Sequence, residues 1–212
     1  MFDIIKRKSE ARKILTCEAY NVACAKIEFL LQEITGCKVI LSTNLCGNTQ
    51  KTAAEGLAES LSNQFGKNVL LMDCNFISID RKKKTYSERK RFGLSEYLSS
   101  KINEIDEIIY ENSFNYHIMP AGGRPYKPSD FLSKEKIDNL YINLHSKYDY
   151  IIVDAPQHDG TLDMITAMKV FEFNGAVVNV TLNKTSNKDL QKTIELMDLF
   201  KVKLLGVILS QS

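Results

Sequence analysis

The feature that most constrains this chain is a series of short aliphatic runs separated by helical patterns. The runs fall at residues 39–41, 69–72, 151–153, 176–178 and 204–209. Continuous aliphatic and β-branched runs are typical of strands buried on both faces. A shorter run at 117–119, followed by Pro120, indicates one further strand.

Apolar residues between these runs recur at spacings of three and four, which is typical of amphipathic helices. The clearest stretches carry Ala54, Leu57, Ala58, Leu61 and Phe65, and then Leu190, Ile194 and Met197. A longer helix is predicted over residues 9–33, with one face formed by Cys17, Tyr20, Cys24, Ile27 and Leu31. Alternating strands and helices predict an α/β fold with a doubly wound, mostly parallel sheet flanked by helices.

The length of 212 residues suits one domain of this class. We divide it into an N-terminal helical segment, 1–36, and a nucleotide-binding-like core, 37–212. A hydrophobic content of 44% excludes a disordered chain. The sequence carries no apolar run of bilayer length and no signal peptide, so we expect a cytoplasmic protein.

The formal net charge of +2 conceals one strongly basic segment, from Arg81 to Arg91, with seven basic residues and one acidic residue. The remainder of the chain is mildly acidic, which argues against nucleic acid as a partner. The basic segment is consistent with contact to an anionic membrane surface. A solvated, mobile loop is the simpler interpretation.

A phosphate-binding loop is predicted where the first strand leads into a helix. The candidate nucleotide-binding residues are Gly47, Asn48, Thr49, Gln50, Lys51 and Thr52. Backbone N–H groups and a helix N-terminus bind phosphates at such a junction. Lys51 would reach the outer phosphates, and the Thr52 hydroxyl would bind Mg²⁺.

This loop departs from the pattern G-x-x-x-x-G-K-[ST], because Leu45 and Gln50 occupy the two glycine positions. A left-handed φ at Gln50 would cost about 1–3 kcal/mol. The local pattern alone does not distinguish a phosphate loop from an ordinary strand-to-helix turn.

Two acidic residues favour the nucleotide interpretation. Asp73 and Asp154 each end a predicted buried strand, and ligands of open α/β sheets bind beyond the carboxyl ends of strands. A Mg²⁺-nucleotide requires a carboxylate at the metal and another to orient the attacking group. We therefore predict Mg-ATP as a possible cofactor, with Asp73 and Asp154 as the two candidate carboxylates.

Several longer motifs occur together and in a fixed order. They are Glu18-Ala19-Tyr20 and the segments 66–73, 93–98, 119–132 and 148–156. In these motifs the chain resembles the bacterial tyrosine kinases (BY-kinases) of capsule and exopolysaccharide synthesis, a MinD/ParA-like P-loop family. The resemblance extends from about residue 18 to residue 209.

The resemblance implies roles for particular residues, with Asp154 and Thr52 at the metal and Asp73 and Lys51 in catalysis. In an ungapped register, Lys51 matches the P-loop lysine, Asp73 the first acid of the second Walker motif and Asp154 the Walker B acid. A competing register aligns Gly56-Leu57-Ala58 with a family helix motif and places Gln50 at the lysine position. The family also implies a membrane polysaccharide co-polymerase or activator as partner.

The chain departs from the family at further positions. The second acid of the Walker motif is Asn75, the following arginine is Ile77, and an asparagine near the last strand is Ser210. Both arginines of the oligomerisation motif are replaced, by Asn21 and Cys24, so oligomers formed through that motif are not expected. The family's tyrosine-rich tail has no counterpart before Ser212, where this sequence ends.

Three hypotheses follow. The first is a regulatory BY-kinase-like protein with an eroded ATP site and weak or no kinase activity, membrane-associated through its partner. The second is an active Mg-ATP-dependent protein tyrosine kinase. The third, a MinD/ParA-like positioning ATPase, ranks last because the early loop lysine of that class is absent.

Overall fold

The protein is described here by a computed structural model covering residues 18–45, 53–75, 92–123, 134–155, 168 and 171–210. The strands are β1 (Lys38–Asn44), β2 (Val69–Asp73), β3 (Tyr110–Glu111), β4 (His117–Met119), β5 (Tyr150–Ala155), β6 (Gly175–Thr181) and β7 (Leu204–Ser210). The helices are α1 (residues 18–30), α2 (Ala53–Phe65), α3 (Leu94–Leu98), α4 (Lys134–Leu144) and α5 (Asn187–Leu199), with a 3₁₀ turn at Ile105–Ile108.

These strands form one sheet in the order β3-β4-β2-β5-β1-β6-β7. Every neighbouring pair is parallel except β3 and β4. All six predicted strands are present, and the predicted α/β class with a mostly parallel sheet is confirmed. The aliphatic runs are continuous because the central strands are covered on both faces, as in β6, where every residue is buried.

Helices cover both faces of this sheet. On one face, α1 and α2 bury Ile27, Leu57 and Leu61 against β1, β2 and β5. On the other face, α4 packs over β2 and β5, and α5 packs over β6. The predicted doubly wound architecture is therefore confirmed.

Helix α1 is fastened to α2 by three neighbouring contacts. The Tyr20 ring lies so close over Gly56 that a Cβ there would overlap it. Ser60 Oγ donates to Asn21 Oδ1 at 2.7 Å, and the buried Cys24 thiol lies 3.7 Å from the Leu57 carbonyl oxygen. The two positions that replace the family's arginines thus face the interior of this domain.

At its other end, α1 reaches the amino end of β5. The buried Tyr150 hydroxyl donates to Glu28 Oε1, and Lys67 Nζ lies 3.0 Å from Glu28 Oε2. Lys38 Nζ lies 5.2 Å from the centre of the Tyr150 ring, within the range of a cation–π contact. The pKa of Glu28 lies below its usual value. Burial by itself would raise this pKa, but the hydrogen bonds from Tyr150 and Lys67 outweigh burial and lower it.

No helix within the described ranges combines the length and the apolar character that crossing a membrane requires.

Candidate functional site: the carboxyl edge of the sheet

At the carboxyl edge of the sheet, polar side chains lie at the ends of four adjacent strands. These strands are β2, β5, β1 and β6. In the register of the sheet, Asp73 pairs with Asp154, Asp154 with Ser42, and Asn44 with Asn179. We call these residues the carboxyl-edge row: Ser42, Asn44, Asp73, Asp154 and Asn179. The register thus sets Asp73 and Asp154 side by side on neighbouring strands.

The carboxyl-edge row lies on the α1/α2 face of the sheet. Side chains alternate along a strand, so Asp154 lies on the same face as Tyr150 and Ile152, which pack in the α1/α2 core. Helix α2 covers this face and begins at Ala53, directly after Thr52. The N-terminal end of α2 and the carboxyl-edge row therefore belong to the same face of the sheet, as a phosphate loop between β1 and α2 requires.

The centre of the row is a pair of acids on neighbouring strands. Adjacent strands lie about 4.8 Å apart, and like charges directly opposite each other destabilise a sheet. Asp73 Oδ1 accepts the Asn75 N–H at 2.9 Å, and this hydrogen bond fixes one oxygen of the Asp73 carboxylate. On the neighbouring strand, Oδ1 of Asp154 is buried. Paired carboxylate oxygens at a strand end match the oxygen ligands that Mg²⁺ prefers.

Sequence reasoning missed the other members of this row. Ser42 Oγ and Asn179 Oδ1 are buried and have no hydrogen-bond partner in the described part of the chain. Asn179 Nδ2 donates to Asn44 Oδ1 at 2.9 Å. Buried polar atoms seldom lack partners, so these two oxygens fit an edge that receives polar groups from a ligand. Their signal in the sequence is a polar residue interrupting an aliphatic run.

Leu45 shows how the chain leaves β1 without the family's opening glycine. Its side chain is only 2% exposed and packs with Ala155 and Val178, while its N–H donates to the Asn179 carbonyl at 2.9 Å. Leu45 is not among the described residues with a positive φ, so its backbone suits a side chain. The start of the loop is therefore anchored in the core through Leu45.

The predicted loop residues themselves, Gly47, Asn48, Thr49, Gln50, Lys51 and Thr52, lie outside the described residues. So do the basic segment from Arg81 to Arg91 and Ile77. Their assigned roles stay predictions. Within the described ranges, no group of three or more His, Cys, Asp or Glu side chains is arranged so that it could hold a metal ion.

Cys74 follows the first acid but is not suited to nucleophilic chemistry. Burial, and then the nearby charges of Asp73 and Asp154, raise the pKa of its thiol well above the usual value. The residue stays protonated at neutral pH, and thiols react as thiolates. Its role is structural, because its N–H donates to the Asp154 carbonyl at 2.9 Å and holds β2 beside β5.

Two family motifs meet at the carboxyl end of β4, beside β2. Glu96 Oε2 accepts the Gly93 N–H and Oε1 accepts the Gly123 N–H, both at 2.9 Å. The Leu94 N–H donates to the Pro120 carbonyl at 2.8 Å, and a Cβ on Gly93 would overlap that oxygen. Glu96 thus joins the segment that enters α3 to the segment that leaves β4.

Comparison with known proteins identifies the relatives of the chain, although no family model matches it. Tyrosine-protein kinase YwqD of Bacillus subtilis (strain 168) is 26% identical over 201 residues, which cover 93% of this chain and 82% of the kinase. Tyrosine-protein kinase CpsD of Streptococcus pneumoniae serotype 4 is 23% identical over 195 residues, which cover 92% of this chain and 83% of that kinase. The chain is a relative of the bacterial tyrosine-protein kinases. This confirms the predicted resemblance.

A third relative is much longer than this chain. Tyrosine-protein kinase Wzc of Salmonella typhi is 24% identical over 200 residues, which cover 92% of this chain but only 27% of Wzc. The similarity therefore corresponds to one part of that kinase.

Solved structures agree on the fold. The kinase domain of VpsO has a TM-score of 0.75 at 20% identity, with 95% of this chain and 98% of that domain covered. The BceF tyrosine kinase domain has a TM-score of 0.74 at 21% identity, with 92% and 77% covered. Cobyrinic acid a,c-diamide synthase from Mycobacterium smegmatis, bound to an ATP analogue and magnesium, has a TM-score of 0.62 at 15% identity, with 82% and 70% covered. These likenesses establish the P-loop NTPase-like fold.

Proposed function

We propose that this chain is a BY-kinase-like regulatory protein of capsule or exopolysaccharide synthesis whose ATP site has eroded. Mg-nucleotide would bind at the carboxyl-edge row, weakly or not at all. Lys51 would contact the phosphates, and Thr52 with Asp154 would hold the metal. Kinase activity through Asp73 and Lys51 would be weak or lost.

The observation that carries this proposal is the anchoring of Leu45. A phosphate loop needs a backbone that curls around the phosphates, which glycines permit at little conformational cost. Here the first loop position carries a leucine packed in the core, and its N–H is already bonded to the Asn179 carbonyl. Gln50 replaces the second glycine, so the loop would wrap the phosphates less closely.

Thermal unfolding with and without Mg-ATP tests the proposal. At a ligand concentration equal to Kd, binding stabilises the folded state by about 0.4 kcal/mol. In a chain of this size that raises Tm by roughly 1–2 °C. We expect no larger shift at 1 mM Mg-ATP, and none in Lys51→Ala.

The matched control is Lys192→Ala, which removes an exposed lysine from α5. A Tm shift of roughly 5 °C or more at the same concentration in wild type and control would contradict the eroded site. If Gln50→Ala abolished the shift while Lys51→Ala did not, the competing register would hold.

A second candidate, the active tyrosine kinase, is favoured by the retained pair Asp73 and Asp154 in adjacent register. Transfer of radiolabelled γ-phosphate to a Glu/Tyr copolymer decides between the candidates. Activity that disappears in both Asp73→Asn and Asp154→Asn would establish the kinase. Background transfer in wild type, with confirmed folding, would support the regulatory protein.

We also propose that the chain works at the cytoplasmic side of a membrane through a polysaccharide co-polymerase or activator. The length of Wzc supports this, because about three quarters of that kinase lies outside the similarity. Contact of Arg81 to Arg91 with an anionic surface would add to such recruitment. Co-purification from detergent-solubilised membranes, followed by mass spectrometry, tests it, and recovery without a membrane protein would oppose it.

A further inference from the structure

Helix α1 is apolar on both of its faces. Its inner face buries Cys24, Ile27 and Leu31. Its outer face exposes 58% of Val22 and 69% of Phe29, with Leu30 beside them. Exposed apolar residues that form a contiguous patch mark an interaction site, so the outer face calls for a partner.

The outer face forms a shallow groove rather than isolated apolar residues. It has a volume of about 430 Å³ and is lined by Val22, Ala25, Lys26, Phe29 and Leu30. These positions recur at helical spacing, so they form one stripe, and Lys26 is its single charged residue. An aromatic and aliphatic stripe with a lysine resembles the membrane-facing side of an interfacial helix.

The charge of the preceding sequence indicates which surface covers this stripe. Residues 1–17, which lead directly into α1, contain five basic residues (Lys6, Arg7, Lys8, Arg12, Lys13) against two acidic ones (Asp3, Glu10). A second copy of the chain would carry the same basic segment and would offer it no complementary charge. An anionic lipid surface complements both the basic segment and the apolar stripe.

We propose that the outer face of α1, with Val22 and Phe29 inserted among lipid headgroups, is a binding site for anionic membranes. The basic residues of the sequence before α1 would attract the surface, and the stripe would supply apolar burial. The proposal concerns direct contact with lipid and is independent of nucleotide and of any protein partner.

Sedimentation with vesicles tests this, using the full chain without nucleotide. We expect binding to vesicles containing phosphatidylglycerol, and at least roughly fivefold weaker binding to phosphatidylcholine alone. Phe29→Ser and Val22→Ser should each reduce binding to the anionic vesicles at least threefold, to order of magnitude. Raising the salt to about 0.5 M should weaken wild-type binding strongly.

Ile142→Ser is the matched control, because Ile142 of α4 is 73% exposed but lies on the opposite face of the sheet from α1. It should bind as wild type does, and all variants should keep the wild-type Tm. Three results would overturn the proposal. They are unchanged binding in Phe29→Ser and Val22→Ser, absence of binding to anionic vesicles, and a lipid-free wild-type dimer that Phe29→Ser converts to monomer.

Discussion

The two ends of strand β5 differ in the charges that surround them. At the amino end, the Tyr150 hydroxyl bonds to Glu28, whose carboxylate pairs with Lys67 at 3.0 Å. At the carboxyl end, Asp154 lies in register with Asp73, a second acid on the neighbouring strand. One end places opposite charges together, and the other places like charges together.

The two ends of β5 should therefore differ in how they contribute to the stability of the fold. A partly buried carboxylate with a hydroxyl donor and an ammonium partner contributes to folding. Two opposed carboxylates cost folding free energy, so their placement is explained by what they could bind. Mutation at the amino end should therefore lower stability, whereas removal of one acid at the carboxyl end should leave stability unchanged or raise it.

The largest expected effect is at Tyr150, which is fully buried. Tyr150→Ala should lower the free energy of unfolding by about 3–5 kcal/mol, because it removes a large aromatic side chain and leaves a cavity. Urea denaturation measures it. Tyr150→Phe keeps the ring and should lower the free energy of unfolding by about 1–2 kcal/mol, because it removes only the hydroxyl hydrogen bond to Glu28. Equal losses in both variants would show that packing of the ring contributes nothing.

At the carboxyl end we expect the opposite sign. Asp73→Asn keeps an oxygen that can accept the Asn75 N–H but removes one of two like charges. Without ligand, this variant should be as stable as wild type or more stable, by up to about 1 kcal/mol in urea denaturation at pH 7. A loss of more than about 1 kcal/mol, also seen in Asp154→Asn, would assign the pair a structural role.

The smallest effect is the pH dependence at the amino end. The folded-state pKa of Glu28 is lowered, so its contribution is present above the unfolded value and disappears as pH falls through the folded value. The stability difference between wild type and Glu28→Gln should therefore begin to shrink as the pH falls below about 5 and continue to shrink below the usual glutamate pKa of about 4.3. Urea denaturation at several pH values measures this difference. A difference that grew on acidification would reverse the direction inferred for the Glu28 pKa.

The strands could be predicted from the sequence because burial on both faces leaves a continuous aliphatic run, as in β6. Asp73 and Asp154 could be predicted at strand ends because each ends such a run, but their adjacency depends on the strand order, which places β2 beside β5. No element was predicted over α4, although Ile137, Leu140, Tyr141 and Leu144 have helical spacing and are buried. That signal was present in the sequence.

Other features depend on tertiary contacts that no local pattern encodes. The two-residue strand β3 exists only because Tyr110 and Glu111 pair with β4. The need for glycine at position 93 comes from the carbonyl of Pro120, which follows β4. The joining of Gly93 and Gly123 by Glu96 is likewise visible only once both segments are placed.

The strand order has a consequence for synthesis of the chain. Strand β1 pairs with β5 and β6, so it has no described strand neighbour until roughly a hundred further residues have been translated. At about 5–20 residues per second, that interval lasts roughly 5–20 seconds. During it the aliphatic run of β1 at residues 39–41 would be without its sheet partners, so we expect the nascent chain to need protection from aggregation until β5 leaves the ribosome.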